Sequence, residues 1–393
     1  MKKILALVLI LVCVFSTNVY AKPVTSSGAS ILIDAETGQI LYSHNVNERM
    51  YPASITKLLT VYLACEKSRM GDVITVSKTA VDTVPRDTSN IALDYGEKIT
   101  VEDAVNAAML MSANDAANVL AEHISGSLDE FAKLMNKTAN EMGVKNSNFV
   151  NPSGLHDEMH YTTAYDFAMI VKSALANEKF RDFISAQEYT IASTNKKKDT
   201  RYMVTQHRMM HWPQYATLGV VGGKSGYTSQ AKYTLVTYCE KNDKKLISVV
   251  LKSDTFTDVY KDTQTLLEYG TNDFNKVVLD GQNIKPYEEG RVTLIPKGSV
   301  TFLLSSEYNK NDFTYDYKID TQKVNVLLPD KTVIATLDTD KIVKPSLFQK
   351  IIKVTLRVVI SVVVVLLLLI ILFIRSENKK KKKRDKMKKI LYK

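Results

Sequence analysis

Cysteine is scarce in this chain, three in 393 residues, and the scarcity narrows the chemistry. Cys13 lies inside an apolar N-terminal run, so only Cys65 and Cys239 remain in the body of the chain. Neither is patterned with a histidine as a nucleophile would be; both are expected as buried free thiols, with a disulfide between them left open. Metal-site spacing is lacking too. His156–His160 and His207–His211 are four apart, but neither pair is H-E-x-x-H, and His156 follows a Pro/Gly-rich turn instead of opening a helix. No metal ligand is assigned and no cofactor is expected. Internal repeats are absent, and the only biased segment is a lysine-rich end. The formal charge is +10, yet eleven Lys/Arg fall in residues 375–393 against only Glu377 and Asp385. Residues 22–374 are close to neutral, so the basic total points to no nucleic-acid partner.

Long apolar runs occur only near the two ends. Lys2 and Lys3, the run Ile4 to Phe15, and Val19-Tyr20-Ala21 read as a secretory signal over residues 1–21. Val358 to Ile374, bounded by Arg357 and Arg375, reads as a transmembrane helix over 358–374, the arginines snorkelling to the interfaces. The basic tail 375–393 then lies in the cytoplasm and everything before Arg357 outside.

Residues 22–273 read as one mixed domain. Ala29–Asp34 and Gln39–Ser43 form an opening hairpin. Helices follow from Ser54 to about Cys65 and over Val101–Met111, Asn114–Ile124, Leu128–Met142 and Thr163–Leu175. Strands return at Tyr233–Tyr238 and Leu246–Lys252 before a last helix near Asp258–Tyr269. Sheet segments at both ends around a helical middle imply α+β. Residues 274–343 show short alternating runs at Val292–Ile295, Val300–Leu304, Val324–Leu328 and Thr332–Ala335, a small all-β domain. Residues 344–357 are expected as a linker.

Three short clusters carry the chemistry. Ser54 and Lys57 sit three apart on one helix face, about 5–6 Å between Cβ atoms. A serine hydroxyl needs a base, and Lys57 serves if desolvation or a second cation such as Lys224 lowers its pKa. Ser112 and Asn114 lie between two helices; they are caps of the second helix, or a proton relay (Ser112) with an amide (Asn114) that holds a substrate peptide group. Lys224-Ser225-Gly226 is a polar turn entering an edge strand, or a carboxylate-binding lysine and hydroxyl beside a glycine that lets a substrate backbone come close. The Tyr227 N–H is a candidate second oxyanion donor beside that of Ser54.

The order S-x-x-K, S-x-N, K-S-G resembles the S-x-x-K, S-D-N, K-T-G set of penicillin-binding proteins and class A β-lactamases. Pro52-Ala53-Ser54-Ile55-Thr56-Lys57, Asn151-Pro152-Ser153-Gly154-Leu155-His156 with Thr163-Ala164-Tyr165-Asp166, and Gly222-Gly223-Lys224-Ser225-Gly226-Tyr227-Thr228 resemble the signatures of serine-type D-alanyl-D-alanine carboxypeptidases. Ser225 replaces the usual threonine, and Ala231-Lys232 stands where Ala-Gly is common. The resemblance implies a β-lactamase/transpeptidase-like domain with an antiparallel sheet and helices. It implies attack by Ser54 on the D-Ala–D-Ala bond of peptidoglycan stem peptides, with Lys57 as base, Ser112 as relay and Asn114, Lys224, Ser225, Gly226 and Tyr227 around the substrate. β-Lactam antibiotics are the covalent inhibitors expected, and the bacterial cell membrane, entered by the C-terminal helix, the location. A transpeptidase, a β-lactamase using Glu130 or Asp157 to activate water, and an inactive wall-binding protein are the alternatives.

Overall fold

The computed structural model describes residues 22–391, so the signal read over residues 1–21 lies outside the described residues, as do the last two residues of the basic tail. Two compact units are present: the chain through Val278 together with Thr301–Asp312, and Leu279–Val300 together with the chain from Phe313.

The first unit is α+β. Its antiparallel sheet contains β1 (Ala29–Asp34), β2 (Ile40–His44), β3 (Val220–Thr228), β4 (Lys232–Lys241) and β5 (Lys244–Ser253), in the order β2-β1-β5-β4-β3. The first strand of this sheet therefore pairs with its last in chain order, Ile31 opposite Val249. β5 is apolar on both faces because both are covered. Ile247, Val249 and Leu251 pack in the cluster that contains the helices α1 (Lys57–Lys67), α2 (Val101–Leu110), α3 (Asn114–Ser125) and α4 (Ala164–Ala174). Leu246 and Val250 pack on the other side against Val259, Leu266 and Leu267 of α5 (Phe256–Asn272). α1 buries Leu58, Leu59, Val61, Leu63 and Ala64, and each such leucine contributes about 1.5–3 kcal/mol by leaving water.

Several elements lacked a clear sequence pattern. The segment read as a polar turn before β4 is itself the edge strand β3. Its glycines break the alternation because backbone of neighbouring segments packs directly on them: a Cβ on Gly222 would meet the backbone around Ile184, and one on Gly223 the His207 ring. The ribbon Glu188–Ile191/Arg201–Val204 and the helix Glu178–Ser185 are likewise additional. Arg201 ties that ribbon to the buried Glu97 at 2.8 Å. The strand Ser299–Ser305, whose alternation groups it with the β module, has Thr301 onward in the first unit. There Leu303 is bracketed by the Gln39 amide, which accepts from its N–H and donates to its carbonyl.

The second unit contains an antiparallel sheet of Tyr287–Glu289, Val292–Lys297, Val333–Val343, Lys323–Leu327 and Thr314–Lys318, in that spatial order. A helix, Leu347–Leu391, follows. It starts inside the expected linker because Ser346 and Gln349 form a reciprocal cap: the Gln349 N–H donates to Ser346 Oγ, and the Ser346 N–H to Gln349 Oε1. Among the described residues it is the one helix long and apolar enough to cross a membrane. Cys65 and Cys239 are free and buried, and burial pushes both thiols up to about 12, which leaves them inert.

Candidate active site

Ser54 sits in a single 3₁₀ turn, Ala53–Thr56, that runs into α1; the expected helix start is therefore tighter than α. Ala53, directly before it, has φ +50°, a left-handed conformation that costs a non-glycine residue about 1–2 kcal/mol. Surrounding structure holds the strained turn in place. Gly154 (φ +81°) packs beneath it so closely that a Cβ would overlap the Ala53 carbonyl and lie 2.9 Å from Thr56 Oγ1. Thr60 Oγ1 donates to the Pro152 carbonyl, and Thr56 Oγ1 lies 2.9 Å from His160 Nε2. Burial pushes His160 down to about 3, so it is a neutral strut that also accepts from the Val150 N–H. The His156–His160 pair is thus divided, because His156 instead packs edge-on against Tyr51.

Lys57 is completely buried. Its Nζ lies 3.1 Å from Ser54 Oγ, 2.7 Å from Asn114 Oδ1 and 2.7 Å from the Ser153 carbonyl. The Ser153 carbonyl is fixed by an Asx turn in which Asn151 Oδ1 accepts from the Ser153 and Gly154 N–H groups. Burial holds the Lys57 amine well below the ordinary lysine value; Lys224 pushes the same way and Asp115 opposes. A neutral amine has two hydrogens and one lone pair. In its neutral form, with the two hydrogens on Asn114 Oδ1 and the Ser153 carbonyl, the amine would turn its lone pair to Ser54 Oγ.

Ser112 follows α2 with φ +58°, where glycine or asparagine usually ends a helix, and is 3% exposed. Asn114 opens α3, and its N–H donates to the Ser89 carbonyl. Asp115 accepts from the Ile91 and Leu93 N–H groups and so ties down the loop carrying Asp87, Thr88 and Ser89. Opposite, β3 exposes its outer edge to the Ser54 turn. A Cβ on Gly226 would lie 2.8 Å from Ser54 N and 2.5 Å from Thr234 Oγ1, so only glycine lets strand and turn come this close. Lys224 points under the strand, 2% exposed, with Nζ 3.0 Å from the Ser225 carbonyl; burial brings it down to about 7. Tyr227 is half exposed, its ring against Tyr233.

Ser54, Ser112, Asn114, Ser225, Gly226 and Tyr227 all line one cleft of about 680 Å³. Lys57 and Lys224 lie beneath its floor. Sequence reasoning missed the Ser153 carbonyl, the Asp87–Ser89 wall and Arg208; only Asn151-Pro-Ser-Gly carried a signal for the first. Glu130 is on a helix surface, paired with Lys133 at 2.6 Å, and Asp157 accepts from the Met159 N–H in an exposed turn. Neither lines the cleft, which removes both as activators of a deacylating water. Chemically, the cleft combines a hydroxyl on a strained turn, a desolvated amine in contact with it, and an open strand edge.

Comparison with known proteins gives a consistent picture. Residues 16–255 match the family Peptidase_S11, described as D-alanyl-D-alanine carboxypeptidase. D-alanyl-D-alanine carboxypeptidase DacF of Bacillus subtilis is 31% identical over 352 residues, 84% of this chain and 87% of the relative. The structure of penicillin binding protein 5 from Haemophilus influenzae superposes with a TM-score of 0.69 at 27% identity, covering 83% of this chain and 99% of that one. A mutant of the Streptomyces K15 DD-transpeptidase reaches 0.59 at 26% identity, covering 63% and 98%.

Proposed function

The chain belongs to the D-alanyl-D-alanine carboxypeptidase family, and from that premise we propose that it removes the terminal D-alanine of peptidoglycan stem peptides through an acyl-enzyme on Ser54. The observation that carries the proposal is the setting of Lys57: fully buried, two acceptors taking its hydrogens, and 3.1 Å from Ser54 Oγ. The substrate strand lies along the free edge of β3, as an extra strand would. Ser54 Oγ attacks the penultimate carbonyl while its proton passes to Lys57. The tetrahedral oxygen is held by the Ser54 and Tyr227 N–H groups; the missing side chain at Gly226 keeps the first of these approachable.

Ser112 relays the proton from Lys57 to the departing D-alanine nitrogen, and the acyl ester remains on Ser54. Asn114 holds the acyl part through Nδ2, since Oδ1 is occupied by Lys57. Water, deprotonated by the same amine, then attacks the ester; the peptide leaves one residue shorter and Ser54 regains its proton. A β-lactam presents a similar carbonyl and carboxylate and acylates Ser54. Lys224 lowers the Lys57 pKa through space, and Ser225 offers its hydroxyl to the terminal carboxylate. The apolar helix from Leu347 anchors the enzyme, with the tail from Arg375 in the cytoplasm and the cleft outside.

The test is fluorescent-penicillin labelling of wild type and Ser54→Ala, with D-alanine release from diacyl-Lys-D-Ala-D-Ala measured with and without EDTA. Labelling lost in Ser54→Ala and EDTA-insensitive release are expected. Labelling without release by the wild type would replace hydrolysis by transpeptidation or an inactive receptor, and loss of release in EDTA would point to a metal route.

A further inference from the structure

The Ser54 turn and the β3 edge come from distant parts of the chain, yet an oxygen held by the Ser54 and Tyr227 N–H groups requires a fixed spacing between them. Gly226 puts no side chain into the gap, where a Cβ would lie 2.8 Å from Ser54 N. Thr234 of β4 spans it. This residue pairs with Gly226 across the β3–β4 ladder, is 1% exposed, and donates from Oγ1 to the Pro52 carbonyl at 3.0 Å. Pro52 directly precedes Ala53, whose left-handed backbone carries Ser54. On the other side Thr56 ties the same turn to His160.

β4 is shaped for this reach. Val236, two residues on, packs in the cluster that includes α1, so Thr234 points to the face from which the Ser54 turn approaches. The β4–β5 ladder breaks at the same place. Tyr233 faces Ser253 and Leu235 faces Val250, which sets both Leu251 and Lys252 opposite Thr234. Lys252 takes φ +56°. Such a bulge bends the strand and re-aims a side chain beside a site. The next pair along, Tyr227 with Tyr233, belongs to the second N–H donor. A single hydroxyl therefore joins the turn that carries one donor to the strand pair that carries the other.

We propose that Thr234 is a positioning residue: its hydroxyl, bonded to the Pro52 carbonyl, sets the spacing of the Ser54 and Tyr227 N–H groups and so their fit to the tetrahedral oxygen. The proposal rests on the acyl-enzyme reading above. Thr234 takes no part in the proton transfers, because its hydroxyl hydrogen is committed to Pro52.

The test uses the full chain in detergent, with kcat counted per molecule that labels with fluorescent penicillin. Thr234→Val keeps the shape and removes the donor; Thr234→Ser keeps the donor. Loss of a whole oxyanion donor costs about 10²–10³-fold, and a donor moved out of place costs less. In Thr234→Val, kcat on diacyl-Lys-D-Ala-D-Ala falls about 10- to 100-fold with KM near wild type, as loss of a transition-state contact requires. Affinity for a peptide boronic acid, whose adduct on Ser54 places an oxygen between the same N–H groups, falls by a similar factor. Thr234→Ser stays near wild type in both. Thr234→Ala shows the same split as valine and decides the matter if the valine variant does not fold. Wild-type kcat per labelled molecule in Thr234→Val, with or without a lower Tm, overturns the proposal. So does an equal fall in Thr234→Ser, or a rise in KM alone, which would make Thr234 a substrate contact. Labelling of the wild type tests the reading separately. Without it the acyl-enzyme is lost and the proposal with it; with it the variants decide.

Discussion

Replacing Gly154 by alanine tests whether the loop below Ser54 holds its strained turn. Gly154 adopts φ +81°, and its Cβ would overlap the Ala53 carbonyl and press on Thr56 Oγ1. The left-handed conformation alone costs alanine about 1–2 kcal/mol. Forcing the turn and loop apart adds about 1–3 kcal/mol, the usual range for overpacking. The sum, about 2–5 kcal/mol, lowers Tm by roughly 4–20 °C in a domain of this size. The displacement falls on Ala53 and hence on Ser54. Moving a reacting atom by about 1 Å costs on the order of 10²-fold, so acylation by fluorescent penicillin slows by about that factor even in the fully folded fraction. Gly126→Ala is the control: φ is +80°, but a Cβ there meets nothing within 4 Å. It pays the conformational cost alone and acylates normally. If Gly154→Ala melts like Gly126→Ala and acylates at the wild-type rate, the loop does not support Ser54.

Three further outcomes follow from the same geometry. Asn114→Asp places a carboxylate where Oδ1 now accepts from Lys57 and keeps the amine protonated; acylation at pH 7 drops by about 10²–10⁴-fold and recovers as pH rises, whereas Asn114→Ala shows no such recovery. Matching pH profiles for the two variants would contradict this. Burial depresses Lys57 and brings Lys224 to about 7, so the folded state binds fewer protons than the unfolded chain between about pH 7 and 10. Stability, read as the urea midpoint, therefore rises with pH across that window, and Lys224→Gln flattens the rise; an unchanged slope would show that Lys224 titrates normally. A chain ended after Val343 loses the apolar helix and moves from the membrane fraction to the supernatant while still labelling with penicillin; retention on the membrane would place the anchor elsewhere.

Much of the candidate site was legible because local spacing groups its residues. Ser54 and Lys57, three apart where a 3₁₀ turn runs into α1, are brought to one face by their spacing. The glycine of Lys224-Ser225-Gly226 marked a close approach without revealing its partner, which is the Ser54 backbone. β3 was illegible as a strand for the same reason: glycines that let other backbone pack on a strand erase the alternation by which strands are recognised. Lys232 shows a related trade. It takes φ +57° at the β3–β4 turn, a conformation glycine would adopt without strain.

Arg208 was inconspicuous in the sequence because its neighbours there, His207 and Met209, are core residues, and of its aromatic partners Trp212 is local while Phe256 is brought to it by folding. The sequence alone determined the main helices of the first unit, the apolar helix near the C-terminus and the pairing of Ser54 with Lys57 as candidates, since these depend on periodicity and spacing within a few residues. Only the tertiary structure decided that the Ser153 carbonyl and Asn114 would take the hydrogens of Lys57, that Lys224 would lie buried beneath the strand, and that one arginine would stay open on the wall. Hydrogen bonds and desolvation join groups about a hundred residues apart in the chain, and no local pattern records them.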